Sequence, residues 1–249
     1  GDTMTTADTV SPVVAAYEQV IENGIRNHPR SLQKRIGPSE IGIDCDRRLL
    51  HKLAQDPEPD RGIAWKPELG TAMHEHLEHM FQASNTTYDP MVRWLTEQKV
   101  TVGYIGGQPI TGSCDLFDTY EQVVYDHKIV GNSTLTKYRL HGPSHQYRVQ
   151  ANLYGLGWVL AGYQPTEVAI CFLPREAEWS KRYIWHEPFN PTIAGEALSH
   201  ANQLWDELQT DGLQKALTKH PLCDFPFCPW CAPQQRAAKR QAAPNLFET

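Results

Sequence analysis

The sequence predicts an α/β fold, with a central mixed sheet over roughly residues 100–187 and helices flanking it. Three observations predict it. β-rich runs at 100–105, 110–118, 123–130, 167–173 and 181–187 are broken midway by a long helical pattern opening at Ser144, the alternation expected of a mixed sheet with helical connections. Helical patterns also precede and follow the strands. At 249 residues with 40% hydrophobic content, the chain is long and apolar enough to bury a sizeable core.

Taken in order, residues 1–10 read as a flexible N-terminus, and Gly1 to Thr3 ahead of Met4 read as a scar left by recombinant expression. Ser11 can cap a first helix, with Pro12 in its first turn, Val13, Tyr17, Val20 and Ile21 on one packing face and Gly24 at its end. A turn capped by Ser39 leads into a second helix, where Cys45 is followed closely by Arg47 and Arg48. A polar, proline-spaced linker at 56–61 precedes a third helix starting near Pro67. That helix carries His74, Glu75, His76, Glu78 and His79. A zinc-protease helix needs His-Glu-x-x-His, and Glu78 stands where the second histidine would be. His74 and Glu78, four apart, share a face and can both serve as metal ligands, whereas His76 and His79 read as polar helix positions. Glu97, just before the first strand, reads as a surface charge within reach of the same region.

The second and third strands form a hairpin around which the chemistry gathers. With the turn centred on Tyr120 and Glu121, Asp115 falls opposite Asp126. Asp126 and Lys128 then point to one face, while Val123, Tyr125, His127 and Ile129 point to the other, where helices can cover them. Two carboxylates and an ammonium suit phosphodiester hydrolysis. Carboxylates hold Mg²⁺ or Mn²⁺, which prefer oxygen ligands, and the ammonium can position a nucleophile or offset developing charge.

After the hairpin, residues 131–143 read as a loop carrying basic side chains. Ser144 caps the long helix that sets Gln150 and Tyr154 on one face, where either could bond substrate phosphate or the lysine. Residues 191–213 form a further helix. Cys223, Cys228 and Cys231 then crowd into nine residues rich in proline and aromatics. Thiols so dense suggest a metal site in a reducing compartment. A fourth ligand is required; Cys114 and Cys171 lie within strands and read as small core residues, His220 is a nitrogen alternative, and Cys45 at a helix start is the better candidate. Residues 232–249, with Arg236, Lys239 and Arg240, read as a basic flexible tail, leaving 11–231 as one domain.

Net charge is −6, so the chain has no bulk basicity, yet residues 128–165 contain no Asp or Glu. Lys128, Lys137, Arg139 and Arg148, with His141 and His145, make that stretch locally basic, and 26–52 is a second such stretch. Both suit a phosphate backbone. The absence of a membrane-length apolar run or a signal core points to a soluble, cytoplasmic protein.

The order Gly70-x-x-x-His74, Gly112-x-x-Asp115, Asp126-x-Lys128 and Gln150-x-x-x-Tyr154 resembles the RecB-type branch of the PD-(D/E)xK nuclease superfamily. One cysteine before these motifs and three after them resemble its iron–sulfur members, including the AddB nuclease domain and the CRISPR-associated RecB-like exonucleases. The resemblance implies a restriction-endonuclease-like core whose N- and C-terminal segments are joined through the cysteine site. It implies Mg²⁺ or Mn²⁺ held by His74, Asp115 and Asp126, a catalytic Lys128, and assistance from Gln150 and Tyr154. It further implies a [4Fe–4S] cluster on Cys45, Cys223, Cys228 and Cys231. The substrate implied is DNA, single-stranded or with a free end, cut exonucleolytically in recombination, repair or phage or CRISPR-related processing, alone or with protein partners of those pathways. Two features depart from the family pattern: the last cysteines are spaced Cys-x4-Cys-x2-Cys, and no proline precedes Asp115. Four thiolates also suit tetrahedral zinc, so the identity of that metal stays open. A catalytically silent nucleic-acid-binding iron–sulfur module is the alternative from a different class, and a nuclease subunit active only within a larger recombination or adaptation complex is the second.

Overall fold

The computed structural model describes residues 11–243, so the expectations for 1–10 and for 244–249 fall outside the described residues. Helix α1 (Pro12–Arg26) is capped by Ser11, whose Oγ accepts from the Val13 N–H. It runs through Gly24 instead of ending there. A glycine costs a helix only about 1 kcal/mol, and here the Asn27 side chain closes the end on the Asn23 carbonyl. The face expected to pack is also not covered: Val13, Tyr17 and Val20 are 80%, 71% and 74% exposed, and only Ile25 is buried.

Short helices α2 (Pro29–Leu32) and α3 (Pro38–Ile41) follow, then α4 (Asp46–Leu53). Ser39 lies inside α3, which starts from Gly37, while the Cys45 sulfur caps α4 by accepting from the Arg48 N–H. Helix α5 (Trp65–Ser84) leads to three strands, β1 (Trp94–Ile105), β2 (Gln108–Asp118) and β3 (Val123–Val130). Residues 132–141, expected as loop, form helix α6 (Asn132–His141), because burial of Leu135 and Tyr138 outweighs weak local propensity. Helix α7 (His145–Leu160) is capped by Ser144 as expected. Strands β4 (Glu167–Pro174) and β5 (Tyr183–Pro188) and helices α8 (Pro191–Asp211), α9 (Leu213–Thr218) and α10 (Cys231–Ala242) complete the order. Helix α10 replaces the first part of the expected tail, anchored by buried Cys231 and Ala232.

The five strands make one mixed sheet in the order β1-β2-β3-β4-β5, with β3 and β4 parallel and every other neighbour pair antiparallel. The parallel pair needs a crossover, and α6 and α7 supply it. Helix α7 lies on one face, where Phe117 of β2 stacks on its Trp158 at 4.4 Å. Helix α5 lies on the other, where Phe81 meets Trp94 and His127 at 5.0 and 6.0 Å. Gly42, just after α3, lets α3 approach α7 closely: a Cβ there would lie 2.7 Å from Cβ of Val149.

Candidate active site

The candidate site lies where β2 and β3 part. Their ladder holds Asp118↔Val123, Phe117↔Val124 and Leu116↔Tyr125 and then stops, one step before Asp115 and Asp126. The expected turn register is therefore correct, but the two aspartates sit at a split and not in a paired rung. Asp115 bridges that split with its side chain, its Oδ2 accepting from the His127 N–H at 2.8 Å. Beyond this point β3 stays in the sheet through its parallel pairing with β4.

Asp126 and Lys128 share a face, as alternation requires, and that face looks towards α7. Asp126 is 3% exposed, and its Oδ2 lies 3.3 Å from Lys128 Nζ, close enough for an ion pair but without a hydrogen bond. Lys128 Nζ instead donates to Gln150 Oε1 at 2.7 Å and sits 4.4 Å from the centre of the Tyr147 ring. Gln150 is thus the lysine's partner. Tyr154 is not: its hydroxyl lies against Gly112, where a Cβ would stand 2.7 Å from it. This gives Gly112 a steric reason three residues before Asp115.

Helix α5 brings in His74, one turn before Glu78. The His74 ring is held at both nitrogens, with Nδ1 3.3 Å from Asp115 Oδ1 and Nε2 2.9 Å from the His127 carbonyl. Burial alone would lower its pKa, but the hydrogen bond and charge of Asp115 outweigh that and push it up to about 8. Glu78 accepts from Gln82 and is not among the converging ligand atoms. His76 and His79 are exposed, as their reading as polar helix positions expects.

Glu97 is the residue that sequence reading undervalued. Strand β1 begins at Trp94, six residues earlier than expected, so Glu97 is inside the sheet. Thr96↔Leu116 and Gln98↔Cys114 flank it, which puts Glu97 opposite Asp115. Its backbone has φ +48°, a left-handed conformation that a non-glycine residue adopts at a cost of order 1 kcal/mol. Ligand atoms of His74, Glu97 and Asp115 all lie within 4.8 Å of one another. Burial, followed by the Asp115 charge, pushes Glu97 up to about 7; burial and the neighbouring Asp115 likewise push Asp126 up to about 7, against the opposing pull of Lys128.

Three carboxylates and an imidazole therefore lie near Lys128, but Asp126, expected as a metal ligand, is outside the group of converging ligand atoms, where Glu97 stands with His74 and Asp115. An oxygen-rich set with a buried, unbonded Asp126 oxygen fits a hard divalent cation, which would favour the ionised carboxylates that burial opposes.

A second cluster brings together Cys45, Cys223, Cys228 and Cys231, while Cys114 and Cys171 are buried in strands. His220 is not in it: its Nδ1 is 3.0 Å from Asp46 and its Nε2 2.6 Å from Glu207. The expected basic surfaces are neutralised in part. Arg148 pairs with Glu187, Arg48 with Glu58, Lys52 with Glu40, Arg30 with Glu68 and Arg26 with Asp60, whereas Lys34, Arg35, Arg47, Lys137 and Arg139 have no acidic partner among the described residues. Charge counted along the sequence misses such partners as Glu187, supplied by a distant segment. Among the described residues no helix is long and apolar enough to cross a membrane.

No protein-family model matches the chain, and no curated protein matches it. Solved structures do. The crystal structure of SSO0001 superposes with a TM-score of 0.50 at 14% identity, covering 88% of this chain and 95% of that one. An alkaline exonuclease, LHK-Exo, from Laribacter hongkongensis gives 0.48 at 10% identity over 83% and 95%. A phage-related exonuclease from Haemophilus somnus 129PT gives 0.44 at 12% identity over 71% and 96%. At these identities the likeness is one of fold.

Proposed function

We propose that the chain is a divalent-metal-dependent deoxyribonuclease of the RecB type, acting as an exonuclease on single-stranded DNA or free ends in recombination, repair or phage or CRISPR-related DNA processing. The observation that carries the hydrolytic reading is the meeting of His74, Glu97 and Asp115 within 4.8 Å of one another, from three separate elements, with Asp126 and its ion-pair partner Lys128 alongside on β3. A fold has little reason to gather so many like charges in a buried place, and it bears the cost of a left-handed Glu97 as well. Exonucleolytic action and the single-strand preference follow from the motif resemblance.

His74, Asp115 and Asp126 would hold Mg²⁺ or Mn²⁺, with Glu97 as an additional carboxylate. When bound, the cation polarises a phosphodiester oxygen and makes a neighbouring water more acidic. The chain's own residues do the rest. Asp115 is fixed by the His127 N–H, so one carboxylate oxygen is spent on position and the other is left to face the site. The His127 carbonyl holds His74 in turn. Gln150 accepts a hydrogen bond from Lys128 Nζ and the Tyr147 ring lies beside it, so the lysine side chain has a fixed direction. From there Nζ can orient the attacking water or offset charge growing on the phosphate. Tyr154 packs the wall of the site against Gly112.

End-labelled single-stranded and duplex DNA, incubated with Mg²⁺ or Mn²⁺, tests the reading. Wild type should shorten labelled strands in a metal-dependent way, and Lys128→Ala and Asp126→Ala should each lose at least a hundredfold in rate. Cleavage by both variants at the wild-type rate would remove these residues from the centre. A wild type that binds DNA but cuts none of it would favour the silent binding module.

A further inference from the structure

Four thiols from distant parts of the chain meet at one point. Cys45, at the start of α4, and Cys223, Cys228 and Cys231, around the start of α10, place their sulfurs within 4.8 Å of one another. Cys45 Sγ and Cys231 Sγ are 3.7 Å apart. We propose that this centre binds a single zinc ion in tetrahedral coordination by Cys45, Cys223, Cys228 and Cys231, in place of the iron–sulfur cluster that the resemblance implies. The inference rests on sulfur spacing and does not depend on the nuclease reading.

The spacing separates the two metals. Zinc–thiolate bonds of about 2.3 Å in a tetrahedron put the sulfurs about 3.8 Å apart. In a [4Fe–4S] cube each thiolate binds a different iron, so two sulfurs are held apart by an iron–iron edge and two outward bonds, roughly 6 Å in all. The observed 3.7 Å matches the first value, and the 4.8 Å bound on every pair falls short of the second.

The spacing is also held by contacts that need no metal. Arg47 of α4 donates to the carbonyls of Leu217 and His220, tying α4 to the segment that leads into the cysteines. His51 stacks on Trp230 with ring centres 3.7 Å apart and planes 5° from parallel, fixing the same helix against the residue before Cys231. The Cys228-Pro-Trp-Cys231 turn folds back so that the Cys231 N–H donates to Cys228 Sγ at 3.4 Å, and the Arg48 N–H does the same for Cys45. Backbone donors of this kind support thiolate charge on a metal. With both nitrogens of His220 engaged by Asp46 and Glu207, the four thiolates make a complete set without it.

The test is metal content. The whole chain is purified anaerobically from cells supplied with both iron and zinc, and metals and acid-labile sulfide are counted per chain. One zinc, no sulfide and no brown absorption are expected, and replacement by Co²⁺ should give the strong visible bands of a tetrahedral cobalt thiolate. Cys223→Ser alters the half-buried ligand and so threatens folding least; it should weaken zinc retention at least tenfold and change the cobalt spectrum. Iron and sulfide in near-equal, multiple amounts per chain would overturn zinc in favour of a cluster. A folded chain that keeps neither metal, or a Cys223→Ser protein with unchanged zinc affinity and cobalt bands, would overturn the four-thiolate zinc site itself.

Discussion

Glu97→Gln should make the metal-free protein more stable and its metal site weaker, two opposite effects of one substitution. The pKa of Glu97 is raised from 4.5 to about 7, burial being the largest cause and the Asp115 charge the next. At about 1.4 kcal/mol per unit this is roughly 3 kcal/mol for the ionised form, and partial solvent contact reduces it to about 1–2 kcal/mol. The sign follows from linkage. At pH 4 the carboxyl is protonated in the folded and unfolded chains and imposes no penalty. As pH rises from about 4.5 to about 7 the unfolded chain gives up its proton first, so folded stability falls across that window and stays low above it. In chelator at pH 8, Glu97→Gln should therefore melt roughly 2–8 °C above wild type, taking about 2–4 °C per kcal/mol for a chain of this size, while at pH 4 the two should melt together. Mn²⁺ then reverses the order, because the ionised carboxylate gains a partner. Saturating metal should raise the wild-type melting temperature more than that of the variant, and calorimetric titration should show metal affinity reduced by about 10-fold or more. A Glu97→Gln protein that melts with wild type at pH 8 in chelator and binds Mn²⁺ equally well would refute both the crowding and the ligand role.

Three further outcomes are expected. Gln150→Ala should leave folding intact and slow cleavage about 10- to 100-fold through loss of one hydrogen bond to a charged group, with little change in KM; an unaltered kcat would show that Lys128 does not need that partner. Gly42→Ala should destabilise by about 1–3 kcal/mol in urea titration, because its Cβ would meet Cβ of fully buried Val149 and the backbone of Gln146; unchanged stability would mean that α3 can move off α7. Arg93→Met should cost about 3–5 kcal/mol, since it strands Asp118, 1% exposed and bound by Arg93 at 3.0 and 2.8 Å; a melting temperature within a degree of wild type would show that the Tyr120 and Glu121 N–H groups suffice for that carboxylate.

Much of the sheet was legible because its signals are local. Alternation placed Asp126 and Lys128 on one face, and the turn length put Asp115 and Asp126 in register. Helix caps at Ser11 and Ser144 were legible for the same reason: a side chain and an N–H two or three residues away decide them. Local signals failed where tertiary burial decided the outcome. Leu135 and Tyr138 are buried and turn a loop-like stretch into α6, and the packing of Cys231 and Ala232 orders α10 in a segment whose composition suggests a free tail. The basic stretches are less basic than counted at Arg148 and Arg48, because Glu187 and Glu58, which pair with them, lie 39 and 10 residues further along the chain.

Glu97 shows the limit most clearly, and the reason is geometric. Its value comes from standing opposite Asp115 across β1 and β2, at a point where its own backbone is left-handed and the regular strand pattern is interrupted. Period-two reading assumes an unbroken strand, so it is blind at such an interruption. The hairpin split is the same kind of feature: Asp115 can reach the His127 N–H because the β2–β3 ladder has ended one rung earlier. A regular sheet would have satisfied that N–H with a backbone carbonyl. The departures from regular pairing that hide these residues from a sequence pattern are what bring three carboxylates, a histidine and a lysine to one place, and they make the site legible only once the strands are paired.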